Sequence, residues 1–182
     1  MGAGKLMEDI IKTNRLKLRQ VSSADLADLF DYASQPIVAA AAGFDCCQTF
    51  EQAKRFMKDL AVPETWVLEL ISSQRVIGNI CLFITSNALG EPDLRKRLLG
   101  YALNQDYWNL GYMTEALQGV AVWATQKKVK EIGAVVSIDN IASQRVLEKN
   151  QFVMQSAFKA PLGTELKLQP VIYYQKNVTE VF

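Results

Sequence analysis

The chain predicts a mixed α/β (α+β) domain built on one central sheet. Three observations carry that reading. Its 182 residues are enough to enclose one substantial core, and 49% are hydrophobic against 21% charged, the balance of an ordinary globular domain. Segments with apolar residues at helical spacing alternate with short β-branched runs. Their order is β-α-α-β-β-β-α-β-α-β-β, seven strands and about four helices, and helices interrupting the later strands imply parallel pairing there. No repeat, linker or low-complexity tract divides the chain. Residues 1–182 therefore read as a single domain, with 1–12 as a flexible or appended N-terminus.

The elements follow in order. In RLKLRQV (Arg15–Val21), Leu16 and Leu18 alternate with charge, as in a half-exposed strand. Ser22 or Ser23 then caps a helix whose Leu26, Leu29, Phe30 and Ala33 share one face. Pro36–Gln48 has no clear period and reads as a loop. Its apolar run IVAAAAGF (Ile37–Phe44) suits either a short helix or the wall of a pocket. Thr49 and Gln52 form a capping box before Ala53, Phe56, Met57 and Leu60. WVLELI (Trp66–Ile71) and VIGNICLFI (Val76–Ile84), joined by SSQR, read as a hairpin. RLLGYAL (Arg97–Leu103) is a further strand that feeds a helix with Met113, Ala116, Leu117, Val120 and Ala124 on its buried face. EIGAVVSI (Glu131–Ile138) is a buried strand, Asp139 or Asn140 caps a helix running to Asn150, and two strands, Phe152–Lys159 and Leu168–Lys176, close the chain.

Composition excludes several functions. With no histidine, there is no Ser-His-Asp or Cys-His triad and no HExxH zinc site. Cys46, Cys47 and Cys81 lack disulfide or CxxC spacing, which points to free thiols in a reducing cytoplasm and to no metal. A net charge of +1 leaves no electrostatic footprint for nucleic acid or an anionic membrane. No apolar run approaches the ~20 residues of a membrane span, and the first residues lack the apolar core of an export signal. No GxGxxG or GxxxxGK[ST] phosphate motif occurs.

The informative stretch is YWNLGYMTEAL (Tyr107–Leu117), where a strand meets a helix. The first N–H groups of a helix have no internal partners, so such a junction can bind an anion. Gly111 permits close approach of a ligand to the amides of Asn109, Leu110, Tyr112, Met113 and Thr114. A plain helix start around a structural glycine fits the spacing equally well.

Gly-Tyr-x-Thr-Glu-Ala opening a helix after a Gly-Tyr-x-Leu strand resembles the acetyl-CoA loop of GNAT-type N-acetyltransferases, and in particular the RimJ/RimL-like branch. SIDNIASQRVLEKNQF (Ser137–Phe152) is similar to that branch's Asn-x-x-Ser helix start, and the likeness runs in order from about Thr13 to Gln175. It implies a single GNAT-like domain that uses acetyl-CoA as cosubstrate, without a metal. The acceptor would be a small-molecule amine or a protein N-terminus, attacked directly in a ternary complex. A homodimer through the last strands is consistent with the likeness. It further implies that the sheet splays after Gly100–Leu103, where a bulge leaves N–H groups unpaired. The Leu103 backbone would pair with pantetheine and polarise the thioester carbonyl. The amides of Asn109–Thr114 would hold the pyrophosphate, Asn140 the cofactor arm, and Ser143 would meet the sulfur. Glu69 is the candidate base, with Glu91 and Asp93 behind it. The chain departs from the family pattern at Trp108, where a basic or amide residue is usual, at Met113, where Gly or Ala is usual, and at Gln151, where glycine would be left-handed and Asn150 is expected to take over. Those departures motivate the alternative of a non-catalytic CoA-binding module or a different acyl donor.

Overall fold

The computed structural model describes residues 9–87, 89–162 and 165–178. Eight strands form one sheet in the order β1-β2-β3-β4-β5-β6-β8-β7. They are β1 (Ile11–Lys12), β2 (Leu16–Arg19), β3 (Thr65–Leu70), β4 (Val76–Ser86), β5 (Pro92–Leu103), β6 (Glu131–Ser137), β7 (Val153–Leu162) and β8 (Glu165–Asn177). Five helices cover it: α1 (Leu26–Ala33), α2 (Pro36–Ala42), α3 (Phe50–Leu60), α4 (Tyr112–Gln126) and α5 (Ile141–Lys149). Among the described residues only β5 and β6 run parallel; every other neighbouring pair is antiparallel.

Two elements go beyond the expected seven strands and four helices. Ile11–Lys12 pairs with Lys17 and Leu18, so residues 11 and 12 belong to the sheet rather than to a loose terminus. A two-residue strand is too short to show a period. Within the expected loop Pro36–Gln48, residues Pro36–Ala42 form α2. Proline at its first position presets φ, four consecutive alanines favour helix, and Gly43 closes it at φ 76°.

Alternation along the strands divides the core. Leu16, Leu18, Trp66, Leu68, Ile80 and Leu82 pack with α4 and α5 through Met113, Leu117, Val120 and Leu147. Val67, Val76, Cys81 and Ala102 face the other way, onto Leu29, Tyr32, Val38 and Ala53 of α1–α3. The central strands are thus buried on both faces. All three cysteines are free thiols.

Asp25 is only 5% exposed, and its carboxylate accepts two bonds from Arg19, at 2.7 and 2.8 Å. Burial pushes this carboxyl up, but the bonds from Arg19 and Ser22 overcome it and hold the group below its usual range. A depressed native pKa means the ionised form stabilises the fold above the ordinary carboxylate value of about 3.9. That contribution is expected to fade as pH falls from there through the lower native value. Asp25→Asn should flatten this acid limb in urea melts. It should also cost ~3 kcal/mol near neutrality, the low end for a broken buried pair, because Glu69 still holds Arg19. An unchanged acid limb would contradict the assignment.

Candidate active site

The site begins where the sheet opens. Parallel pairing of β5 and β6 stops at Leu99 opposite Ala134, although β5 continues to Leu103 and β6 to Ser137. The Asn104 N–H donates to Ile77 O at 2.8 Å, toward β4. Leu103 lies opposite Gly78, and by antiparallel alternation its N–H and C=O point away from β4, into the gap. These groups turned from β4 therefore arise from the splay. The expected bulge is not at Gly100–Leu103; the β4–β5 register shifts between Ile84 and Thr85 instead.

A cleft of about 270 Å³ fills the gap. Its walls are Tyr101–Leu103 of β5, residues 107–109 and 111–114 at the start of α4, Val38, Ala41 and Ala42 of α2, and one face of α5. At the head of α4, Asn109 takes φ 60° and Gly111 φ 80°. Two left-handed residues turn the loop tightly, a backbone of the kind that can aim successive amides at an anion. Leu110 stands apart: it is 54% exposed, it is not among the cleft-lining residues, and its carbonyl accepts from Arg15 at 3.0 Å. Met113 is 4% exposed and packs into the core, so it anchors the loop to the sheet while still bordering the cleft.

Glu115 has a structural explanation. Glu115 accepts from the Thr13 hydroxyl at 2.6 Å, the Arg15 N–H at 2.8 Å and Arg15 Nε at 2.6 Å. The Arg15 guanidinium then lies over the Tyr112 ring, 4.2 Å from its centre. Burial raises the Glu115 carboxyl, and these donors lower it by more, leaving it below its ordinary value.

Trp108 supplies a contact that the sequence reading missed. Its indole Nε1 donates to Leu103 O at 2.7 Å. The residue that lacks a phosphate-binding charge therefore braces the open end of β5. Cations come instead from α5, where Arg145 and Lys149, four residues apart, line the cleft and have no carboxylate partner among the described residues. An i, i+4 pair of basic residues was the available signal.

Asn140 caps α5: its side-chain oxygen accepts from Ser143 N–H at 3.0 Å, and its amide reaches Ala41 O at 3.4 Å. The side chain expected to hold a cofactor arm is thus engaged in joining α2 to α5. Ser143 Oγ lies 2.6 Å from the Tyr101 hydroxyl. At the far end of α5 the left-handed residue is Gln151, at φ 65°, and Asn150 keeps a negative φ of −94°. Asn150 instead uses its side-chain amide to bond Val146 O at 2.9 Å.

The structure does not bring Glu69 to this site. On β3 it meets Arg19 at 2.5 Å and Lys17 at 3.6 Å, and it does not line the cleft. Glu91 and Asp93 are likewise outside it; Glu91 bonds Asn87 and Asp93 pairs with Arg95. Both positions fall in or beside the β4–β5 turn, at the opposite end of β5 from Leu103.

Residues 15–153 match the acetyltransferase (GNAT) domain family. The chain belongs to that family. This acetyltransferase is 28% identical over 160 residues to the uncharacterized N-acetyltransferase YoaA of Bacillus subtilis (strain 168), covering 84% of this chain and 88% of the relative. Its fold matches that of a GNAT-family acetyltransferase from Bacillus anthracis with a TM-score of 0.81 at 22% identity, over 92% of this chain and 98% of the other. It also matches RimL, a ribosomal L7/L12 alpha-N-protein acetyltransferase solved in complex with coenzyme A, with a TM-score of 0.74 at 15% identity over 93% and 98% of the two chains. The GNAT domain is therefore an acyltransferase, and its family points to acetyl-CoA as cosubstrate. Among the described residues no cluster of metal-ligating side chains occurs, and no helix is long and apolar enough to cross a membrane.

Proposed function

We propose that this acetyltransferase moves an acetyl group from acetyl-CoA to a primary amine by direct attack in a ternary complex, in the manner of the RimJ/RimL-like branch. The observation that carries the reading is the cleft itself: Leu103 backbone turned away from β4 at one wall, a left-handed loop at another, and the Ser143 hydroxyl on α5 beside them. Acetyl-CoA supplies the acetyl group as a thioester. The Leu103 N–H is placed to polarise its carbonyl, the amides of Asn109 and Gly111–Thr114 to hold the pyrophosphate, and Arg145 and Lys149 to add charge at the phosphates. Trp108 occupies one lone pair of the Leu103 carbonyl and leaves the other for a pantetheine amide.

The described residues lining the cleft include two cations and no carboxylate. An amine acceptor thus arrives neutral or gives its proton to water, and catalysis rests on positioning. The wall of Val38, Ala41, Ala42 and Trp108 suits a compact amine, either a small molecule or a protein N-terminus, better than a polyamine needing counter-charges. On the outer strand β7, the exposed apolar residues Val153, Met154 and Phe158 support a homodimer through that edge.

Thermal unfolding with ligand tests the reading. CoA at 100-fold its Kd should add ~2.7 kcal/mol of stability, and thiol should be released from acetyl-CoA across a panel of primary amines. No stabilisation by millimolar acetyl-CoA would refute the cofactor assignment. Stabilisation without thiol release for any amine would refute amine transfer.

A further inference from the structure

We propose that Tyr101 is a positioning residue that turns the Ser143 hydroxyl proton into the cleft. This inference rests on the function proposed above, with Ser143 at the thioester sulfur as the family likeness implies.

Tyr101 lies on β5 and Ser143 is the third residue of α5, so their contact bridges the splayed end of the sheet. The phenol oxygen is 2.6 Å from Ser143 Oγ and 3.4 Å from Ser143 O. Both of its hydrogen-bond contacts are to this one serine. The direction of the shorter bond follows from chemistry. A phenol is far more acidic than an alkyl alcohol and its oxygen is the poorer acceptor, so Tyr101 donates and Ser143 accepts. The carbonyl, 0.8 Å farther by difference of the two distances, is the weaker competitor.

The consequence concerns the serine's own hydrogen. A serine inside a helix ordinarily bonds back to the carbonyl three or four residues earlier, which uses its proton on the backbone. Ser143 Oγ instead meets the phenol, and its N–H is already held by Asn140. With its oxygen accepting from Tyr101, the serine's proton is left for a group in the cleft, where Ser143 is part of the wall. Burial pushes the Tyr101 hydroxyl up to about 12, against the opposing effect of its bond to Ser143, so the phenol stays protonated and keeps donating at neutral pH.

In the transfer step the amine nitrogen bonds to the acetyl carbon, the C–S bond breaks, and its electron pair remains on sulfur. The Ser143 O–H hydrogen-bonds to that departing thiolate. The proton lost by the nitrogen passes through water to the sulfur, so amine and thioester give amide and thiol. Tyr101 acts through Ser143 and exchanges no proton.

The test reads the thiol of bound CoA directly. Its thiolate absorbance is titrated at saturating CoA in the wild type, in Tyr101→Phe, in Ser143→Ala and in the double variant. The other titratable groups lining the cleft, Tyr107, Tyr112, Arg145 and Lys149, are common to all four. The thiol should titrate about half a pH unit or more higher in Tyr101→Phe than in the wild type, the size of one oriented hydrogen bond. In the Ser143→Ala background, loss of the phenol should change nothing further. In turnover, Tyr101→Phe should lower kcat several-fold while KM for acetyl-CoA stays within twofold. Equal titration in the wild type and Tyr101→Phe, or an equal effect of the phenol with and without Ser143, overturns the proposal while the transfer function stands. Failure of CoA to bind the wild type overturns both.

Discussion

Gly111→Val is expected to raise the Kd for CoA between about fivefold and 100-fold, measured by calorimetry. Gly111 sits at φ 80° and ψ 4° as the N-cap of α4, a conformation that costs a residue with a side chain ~1–3 kcal/mol and a β-branched one most. The loop can relieve that strain by leaving the left-handed region, but its amides then no longer converge. Binding must restore the strained form, and each 1.4 kcal/mol is about a tenfold loss of affinity. A new Cβ would also lie 3.5 Å from Arg15 Nη2, on the side chain that braces the loop. Two controls separate these effects from general damage. Gly111→Asn, which tolerates the left-handed region, should bind nearly as well as the wild type. Gly90→Val, at the same φ of 80° with no neighbouring atom within 4 Å of the added Cβ, should lower stability and leave CoA affinity alone. Wild-type affinity in Gly111→Val would remove the pyrophosphate role from this loop.

Ser143→Ala should lower kcat by about 10²-fold with less than threefold change in KM for acetyl-CoA. Removing one preorganised hydrogen-bond donor from a site of developing charge costs about 10²–10³ in kcat. The low end applies because a thiol with a pKa near 8.5 already leaves readily. The helix cap survives the change, since Asn140 holds the backbone N–H of residue 143 rather than its side chain. Structural loss is therefore small, and Ser143→Thr, which restores a hydroxyl, should recover part of the rate. A kcat within twofold of the wild type would exclude this hydroxyl from the chemistry.

The fold was legible wherever a pattern was long. The buried face of α4, with Met113, Ala116, Leu117, Val120 and Ala124, is the apolar set that helical spacing predicts. Short or composition-driven elements were not legible: Ile11–Lys12 offers no period, and the alanines of α2 mark no face. In the site, the positions of Gly111 and Asn140 could be read because caps and left-handed turns have residue preferences, while Ser143 came with the family likeness. Asn109 carried the same signal, as the residue after glycine that best accepts positive φ. Glu69 could be taken as a candidate base because alternation fixes only the face of a strand. Which neighbouring strand supplies its partner is a matter of topology, and β2 brings Lys17 opposite it. Trp108 shows the converse. Its departure from the family pattern suggested a lost contact, and only the splay of β5 reveals the carbonyl that its indole reaches.

The bonds from Thr13 and Arg15 to Glu115 also bear on the order in which the molecule assembles. They join positions separated by 102 and 100 residues, so the entropy of closing most of the chain must be met before they form. During synthesis the segment that carries Thr13 and Arg15 emerges before α4 and cannot meet Glu115 until that helix has been made. The turn at Gly111 is then secured by a late, long-range contact. Formation of that contact would be a marker of completed folding, and the anion-binding shape of the loop would develop with the whole chain rather than with its own short sequence.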